Sequence, residues 1–332
     1  IPGKSSRTLW LFGHTDVVPP GDLAAWTSNP WQVRRDGDFL YGRGVEDNQQ
    51  AIVSMLLLAE EVLSQGITPE LSLGLVFMAD EETGSLYGLE HLLNTAPHFF
   101  NPDDLYIVPD AGSSKGDVIE IAEKSQLWLK VQTTGIQCHG STPQKGRNAF
   151  LAGADMALSC HNALRSAFAD ANPLFDPPYS TFVPGKHEAN VPNINTVPGN
   201  DVFYIDCRLL PHVDMDSVLA KMREVAAEVA EKHTVQIQVS VVQRQDATAI
   251  PQTGTVVTAL KAAIARIYGV QAQAVGIGGA TVAAFLRQKG LPAAVWGCLE
   301  NTCHQPDERS SITATIKDSQ VFAHILMNAA HV

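Results

Sequence analysis

The stretch "LGLVFMADEETGSLYG", residues 73–88, places an apolar run directly before three consecutive acids, Asp80, Glu81 and Glu82. The apolar run predicts a buried β-strand, and the acids stand where that strand ends. Like charges at the end of a buried strand repel one another, which raises carboxylate pKa values and lowers stability unless a cation offsets the repulsion. The alternative is a solvated acidic loop, which is what most acid clusters are. Evidence from the rest of the sequence is needed to distinguish a cation site from a solvated loop.

The composition excludes two classes of partner. The chain has 332 residues and a net charge of −12, which argues against nucleic acid because phosphate binding needs a basic patch. No run reaches the roughly 20 apolar residues of a membrane-spanning helix, so we expect no membrane partner. The five cysteines form no C-x-x-C pair, which favours a reduced, cytoplasmic setting. The first residues enter a strand almost at once, so we expect that natural residues before Ile1 are missing.

The pattern along the chain predicts an α/β fold with an inserted domain. Strands alternate with helices in residues 1–125 and again in residues 246–332, which indicates a mostly parallel sheet flanked by helices. In residues 126–245 the regular alternation of strands and helices stops. The predicted order there is β-α-β-β-α-β, which is typical of ferredoxin-like domains. We therefore expect one α/β domain in two parts, interrupted by a smaller domain.

Acids and histidines recur where the strands of the α/β part end or its helices begin. Ligand sites of open α/β sheets lie outside the carboxyl ends of the strands. Nitrogen and oxygen ligands that converge there suit Zn²⁺, and one carboxylate can bridge two ions. The residues concerned are His14, Asp16, Asp47, Glu81, Glu82, Asp110 and His304.

Each of these residues also has an ordinary structural explanation. His14 could be a satisfied histidine, Asp47 could cap the helix that follows it, and Asp110 could start an Asx turn. Glu82 could be solvated, and His304 could lie in an ordinary loop. Taken singly, most of the residues favour these explanations. Taken together, at successive strand ends and helix starts, they favour a metal site.

The motifs "HTDVVP", "GRGVEDNQQA", "ADEETGS", "PDAG" and "NTCHQPDE" occur in the order that resembles the co-catalytic zinc aminoacylase and carboxypeptidase family. That family includes succinyl-diaminopimelate desuccinylase, acetylornithine deacetylase and glutamate carboxypeptidase. The resemblance spans nearly the whole chain. It implies a zinc-peptidase-like catalytic domain, residues 1–125 and 246–332, and an inserted lid and dimerisation domain, residues 126–245.

The resemblance also implies how two Zn²⁺ ions would be held, with Co²⁺ and Mn²⁺ as alternatives. His14 and Asp110 would bind one ion, Glu82 and His304 the other, and Asp47 would bridge them. Asp16 would hold the His14 imidazole and fix its tautomer, and the Asp47–Asn48 peptide bond would be cis. Glu81 would act as general base, which requires that it is not itself a ligand.

The inserted domain contributes further residues by resemblance. In "GIQCHGSTP", His139 would stabilise the oxyanion, and in dimeric members it comes from the partner subunit. Asn195 and Arg208 would hold a substrate carboxylate, Arg208 through two parallel hydrogen bonds. Gly278 and Gly279 would form a backbone cradle for the same group. The alternatives stay open: a surface charge for Arg208, turn chemistry for Asn195, and close helix packing for the glycines.

We expect a metal-dependent hydrolase of an amide bond in an N-acyl amino acid or short peptide with a free carboxylate, acting as a homodimer through the inserted domain. A dipeptidase or aminopeptidase is the second enzyme hypothesis, and a catalytically inactive metal- or ligand-binding homologue is the third. The chain lacks G-x-G-x-x-G after a strand, so a nucleotide-binding enzyme built on "GIGGA" is disfavoured. The desuccinylases usually have Thr and a nearby acid after the two glycines; Ala280, Thr281 and Val282 stand at these positions, which counts against succinyl-diaminopimelate.

Overall fold

The computed structural model describes residues 1–328, which fall into two compact units. The first unit comprises Ile1–Ala122, Ala249–Gly276 and residues 280–328. The second unit comprises Glu123–Thr248 and Ile277–Gly279.

The strands and helices of residues 1–328 are numbered in chain order. The strands are β1 (Thr8–His14), β2 (Arg34–Asp36), β3 (Phe39–Tyr41), β4 (Ser72–Met78), β5 (Leu105–Gly112), β6 (Val118–Glu123), β7 (Ser125–Thr134), β8 (Cys138–His139), β9 (Thr181–His187), β10 (Thr196–Val197), β11 (Asn200–Leu209), β12 (Gln236–Gln245), β13 (Gln273–Ile277), β14 (Ala293–Gly297) and β15 (Arg309–Ser311). The helices are α1 (Gln49–Ser64), α2 (Leu89–Thr95), α3 (Ala149–Ala167), α4 (Met215–His233), α5 (Thr255–Ile267), α6 (Ala283–Gln288) and α7 (Ile312–Asn328).

The first unit is built on a six-stranded sheet with the order β13-β6-β14-β5-β1-β4. β1 pairs in parallel with β4 and β5, and β14 pairs in parallel with β5, while β6 is antiparallel to β14. All five residues of β14 are buried, as expected for a strand that is covered on both faces. The predicted α/β class with a mostly parallel sheet flanked by helices is confirmed.

The apolar spacing of α1 explains how that helix is placed. Its buried positions include Ala51, Met55, Leu58 and Val62, which recur every three or four residues and so share one face.

A small sheet of order β15-β3-β2 belongs to the same unit. No helix among residues 1–328 combines the length and the apolar character needed to cross a membrane.

The second unit contains a four-stranded sheet with the order β12-β7-β11-β9, in which all neighbours are antiparallel. Its longer elements follow the order β7-α3-β9-β11-α4-β12. A core that includes Leu129, Met156, Ile205 and Met222 joins the sheet to the two helices. The short strands β8 and β10 form a separate antiparallel pair.

Two strands of the first sheet, β6 and β13, were not predicted from the sequence. The sequence of β6 is "VIEIAE". Its two glutamates made this buried strand look like an exposed loop. Glu120 is nevertheless buried, because Arg287 donates to its carboxylate at 2.8 Å and to its main-chain carbonyl at 3.3 Å. A paired charge can therefore occupy a strand that composition alone would reject.

The contact between β1 and β4 gives a test of the sheet register. Trp10 lies opposite Gly74, and a Cβ atom at position 74 would overlap the Trp10 indole ring. We expect Gly74→Ala to lower the free energy of unfolding by about 1–3 kcal/mol, because the well-packed ring has to shift. Urea denaturation measures the effect. Gly185→Ala is the control, since a Cβ atom there meets nothing within 4 Å; equal effects of the two changes would contradict the register.

Candidate metal centre

The first group of candidate ligands comes from three elements of the first unit. His14 ends β1, Asp47 lies two residues before the first residue of α1, and Asp110 lies near the end of β5. The Nε2 atom of His14 lies 2.7 Å from Oδ1 of Asp47 and 3.5 Å from Oδ1 of Asp110. Parallel strands end at the same edge of a sheet, and this edge therefore brings the three side chains together.

The second group shares Asp47 with the first. The Nε2 atom of His304 lies 3.1 Å from Oδ2 of Asp47 and 3.1 Å from Oε1 of Glu82. Asp47 thus presents one carboxylate oxygen to each histidine. In each group, one candidate ligand atom per residue lies within 4.8 Å of the others.

The donor set suits divalent metal ions such as Zn²⁺. Each group offers one imidazole nitrogen and carboxylate oxygens from two residues, which are donors that Zn²⁺ accepts. Asp47 can serve both groups because each of its oxygens faces a different histidine. Neither group includes Glu81, or Cys303 next to His304.

The His14 ring is buried, and Asp16 holds it at its Nδ1 atom. Its Nδ1 atom lies 3.0 Å from the main-chain carbonyl of Asp16, while the Asp16 carboxylate stands 3.6 Å away. Burial alone would lower the pKa of His14, but hydrogen bonds and charges from Asp110 and Asp47 outweigh it and raise that pKa to about 11. The ring therefore directs Nε2 at the carboxylates.

The Asp16 carboxylate instead holds the acidic loop in place. It accepts the main-chain N–H groups of Glu81 at 3.2 Å and Glu82 at 3.1 Å. Asp80, the first of the three acids, turns away: its φ is +56° and its carboxylate accepts the N–H of Tyr87 at 2.7 Å. Only two of the three consecutive acids are thus available for chemistry.

The charges of this edge act on both glutamates. Burial, and then the negative charge of Asp110, raise the pKa of Glu81 to about 8. Burial and the charge of Asp47 raise the pKa of Glu82 as well. A group that accepts and releases a proton near neutral pH is what general acid–base catalysis needs.

Asn48 is a positioning residue that was not predicted from the sequence. Its side-chain amide donates to Oδ1 of Asp110 at 2.8 Å and to the Pro109 carbonyl at 3.0 Å, and its oxygen accepts the N–H of His14 at 3.3 Å. Asn48 also occupies the N-cap position of α1 without a side-chain cap bond, so the interpretation of Asp47 as a helix cap is wrong. The expected cis Asp47–Asn48 bond is confirmed.

Two buried glutamates, also not predicted, hold the two ligand-bearing loops to each other. Glu308 accepts the N–H groups of Glu46 and Asp47, each at 3.0 Å, and forms an ion pair with Arg43. In return, Glu46 accepts the N–H group of Thr302, two residues before His304, at 2.7 Å. Both glutamates lie inside the motifs "GRGVEDNQQA" and "NTCHQPDE", so their position beside candidate ligands was a signal that could have found them.

The second unit holds the other predicted site residues. His139 in β8 pairs with Thr196 in β10, and the N–H of Gly140 donates to the Asn195 carbonyl at 2.7 Å. The structure thus brings His139 and Asn195 to the same pair of short strands. His139 is exposed, and its Nδ1 atom lies 2.8 Å from the Ser141 hydroxyl.

Arg208 already has an acidic partner. Its Nε donates to Asp206 Oδ1 at 2.9 Å and its Nη2 to Asp206 Oδ2 at 3.3 Å. Its Nη1 donates to the carbonyl of Gly278 at 3.2 Å, which brings two predicted substrate residues together. A Cβ atom at Gly278 would meet nothing within 4 Å, and one at Gly279 would first meet an atom at 3.9 Å, so close packing does not explain the glycines.

Comparison with known proteins places this arrangement in a wider group. The family model described as Peptidase family M20/M25/M40 matches residues 10–328. An uncharacterized metallohydrolase of Methanococcus maripaludis is 39% identical over 338 aligned residues, which cover 98% of this chain and 81% of that protein. A succinyl-diaminopimelate desuccinylase of Stenotrophomonas maltophilia is 27% identical over 308 residues, covering 92% of this chain and 80% of that protein.

The fold is also found in solved structures. A tripeptidase from Staphylococcus aureus superposes with a TM-score of 0.81 at 18% identity. The superposition covers 100% of this chain and 83% of the tripeptidase.

The two shifted pKa values predict the pH dependence of the metal-free protein. Folded Glu81 keeps its proton between pH 4.5 and about 8, and folded His14 keeps its proton between pH 6.5 and about 11. The folded state then binds more protons than the unfolded state, so stability falls as pH rises through both windows. We expect the melting temperature of the metal-free protein to fall from about pH 5 to about pH 9.

Added Zn²⁺ should reverse that trend. Because ions bind the deprotonated groups, the melting-temperature increase on adding Zn²⁺ should be larger at the alkaline end than at the acidic end. Calorimetric scans with and without the metal measure both effects. A metal-free melting temperature that rises over this pH range would contradict the account of the two groups.

Proposed function

This chain belongs to Peptidase family M20/M25/M40, and from that membership we propose that it is a hydrolase with two zinc ions that cleaves an amide bond next to a free carboxylate. The substrates would be N-acyl amino acids or short peptides. The observation that carries the proposal is the pair of candidate ligand groups that share Asp47.

We propose the following division of roles at the centre. His14 and Asp110 would hold one ion, Glu82 and His304 would hold the other, and Asp47 would contribute to both, in line with the two groups of candidate ligand atoms. Bound zinc ions would act as Lewis acids towards water and towards the amide carbonyl. This chain's own residues keep the ligands aligned, chiefly through the Asn48 and Asp16 contacts.

Glu81 is the proposed general base. It neighbours the centre but belongs to neither ligand group, so its carboxylate is free to carry a proton. It would accept the proton of the attacking water and pass it to the leaving amine nitrogen. A carboxylate that is not a ligand suits both halves of that task, because one group has to take up and then release the same proton.

We propose that the second unit binds the substrate carboxylate. Arg208 and Gly278 are joined by a hydrogen bond, and Arg208 offers the planar donor group that suits a carboxylate. The substrate would compete with Asp206 for this guanidinium. Asn195, Gly279 and the oxyanion donor His139 complete the proposed set, and the protein would form a homodimer through this unit.

Two other functions are open to the same geometry. A dipeptidase or aminopeptidase would use the same ions and Glu81, with a pocket suited to a free amine. An inactive binding homologue would hold metal without turnover, although the presence of Glu81 beside complete ligand groups argues against it. In each case the five unpaired cysteines support a reduced, cytoplasmic location.

Amine release distinguishes these alternatives. The protein, reconstituted with Zn²⁺, would be incubated with N-acetyl, N-succinyl and other N-acyl amino acids and with dipeptides. We expect turnover of at least one N-acyl amino acid, with loss of turnover when its carboxylate is amidated. Cleavage of dipeptides alone would favour the peptidase, and metal binding without any cleavage would favour the inactive homologue.

Glu81→Gln tests the general base. We expect kcat to fall by about 10²–10⁴-fold because the amide cannot take a proton, while zinc content stays at the wild-type value. Glu60→Gln, at a solvent-accessible position of α1, is the matched control and should change neither quantity. A Glu81→Gln enzyme with wild-type kcat would remove Glu81 from the mechanism.

His304→Ala tests the second ligand group. We expect the variant to lose one of two ions, as measured by elemental analysis after dialysis, because Asp47 and Glu82 lose their nitrogen partner. His91→Ala, at an exposed position in α2, is the control. Full zinc content in His304→Ala would contradict the assignment of this ligand.

A further inference from the structure

A buried carboxylate lies in the core of the first unit and is no part of the ligand groups. Asp318 lies in α7, is 2% exposed, and accepts three hydrogen bonds from uncharged donors. They come from the Tyr268 hydroxyl at 2.7 Å, the main-chain N–H of Cys298 at 3.2 Å and the Gln50 side-chain amide at 3.2 Å. Burying a carboxylate that is hydrogen-bonded but not paired with a cation costs desolvation free energy that an apolar core residue would not.

Gln50 and the Asp318 carboxylate together connect two segments of the chain through hydrogen bonds. The same Gln50 amide nitrogen that donates to Asp318 also donates to the Cys298 carbonyl at 2.8 Å. Asp318 in turn accepts the N–H of Cys298. Asp318 and Gln50 therefore hold both polar main-chain groups of Cys298.

The two bridged segments are those that carry candidate ligands. Gln50 lies in the first turn of α1, three residues after Asp47. Cys298 directly follows β14 and begins the loop that leads to His304. Glu46 and Glu308 connect the same two segments further along the loop, so the Gln50–Cys298 tie is a second and independent connection.

We infer that Asp318, acting through Gln50 and Cys298, is a positioning residue that fixes the His304 loop against the start of α1 and so sets the second ligand group. This inference rests on the proposed two-ion centre. The first group should depend on it far less, because Asn48 links Asp110 and His14 without involving the bridge.

The chemistry of the position supports a role in alignment. An apolar side chain there would leave the Cys298 N–H without its acceptor and would remove one of the two acceptors of the Gln50 amide. Burial raises the pKa of Asp318 to about 7 even though all three donors oppose the rise. Burying the Asp318 carboxylate lowers the stability of the fold. Its position is consistent with a role in fixing the distance between the two segments, which is one use of buried polar groups.

The chain contains a matched control for a buried carboxylate. Asp104, which precedes β5 at the opposite end of the same sheet, is 6% exposed. It accepts the N–H of Thr8 at 2.8 Å, the indole N–H of Trp10 at 3.0 Å and the N–H of Asn101 at 3.3 Å. Removing either carboxylate leaves comparable donors without an acceptor, but only Asp318 joins ligand-bearing segments.

The experiment titrates metal-free protein with Zn²⁺ in a calorimeter, and the step that His304→Ala abolishes identifies the second group. We expect Asp318→Ala and Gln50→Met each to weaken that step by about 10-fold or more, and to leave the other step within about threefold. Asp318→Asn should retain both steps, because its oxygen can face Cys298 and Gln50 while its amide faces the Tyr268 hydroxyl. Asp104→Ala should lower the melting temperature and leave both steps unchanged.

The outcomes separate this inference from the proposed function. Wild-type protein that binds fewer than two ions would contradict the two-ion centre itself. Two wild-type steps that Asp318→Ala and Gln50→Met leave unchanged, or weaken equally, would overturn the positioning role alone. If Asp318→Ala does not fold, Gln50→Met decides, because it keeps the side-chain length and removes only the bridging amide.

Discussion

Repulsion among carboxylates at one edge of the parallel sheet is the constraint on which this structure depends. Asp47, Glu81, Glu82 and Asp110 converge there, and the only basic side chains within the two ligand groups of the described chain are two histidines. Burial, and then the charges of neighbouring carboxylates, raise the pKa values of both glutamates. Divalent cations would offset the repulsion, and the two candidate ligand groups at this edge have donor atoms close enough together to bind them.

The surrounding chain holds these groups through main-chain hydrogen bonds to acids that are not ligands. Asp16 holds the acidic loop, Glu308 holds the segment of Asp47, and Glu46 holds the loop of His304. Carboxylate oxygens that accept main-chain N–H groups are less available to a cation, because part of their acceptor capacity is already used. Such acids therefore shape the site without acting as ligands, and Asp318 extends the same device into the core.

The sequence predicted the elements whose signal is local. Apolar runs placed β1, β4 and β5, and the polar residues near strand ends and helix starts included all five candidate ligands that the fold brings together. β6 was not predicted because its Glu120 is paired with a distant residue, Arg287. That Asp16 holds His14 through its main-chain carbonyl has no signal in the sequence, because contacts of the carbonyl and of the carboxylate cannot be distinguished before folding. Long-range hydrogen bonds, such as that from Gln50 to Cys298, have no signature in sequence spacing.

We propose that two zinc ions share Asp47, and crystals grown with Zn²⁺ and measured on both sides of the zinc absorption edge test this proposal most directly. The account predicts two anomalous peaks per chain, one between His14 and Asp110 and one between Glu82 and His304, with an oxygen of Asp47 next to each. A single peak, or peaks away from Asp47, would contradict it.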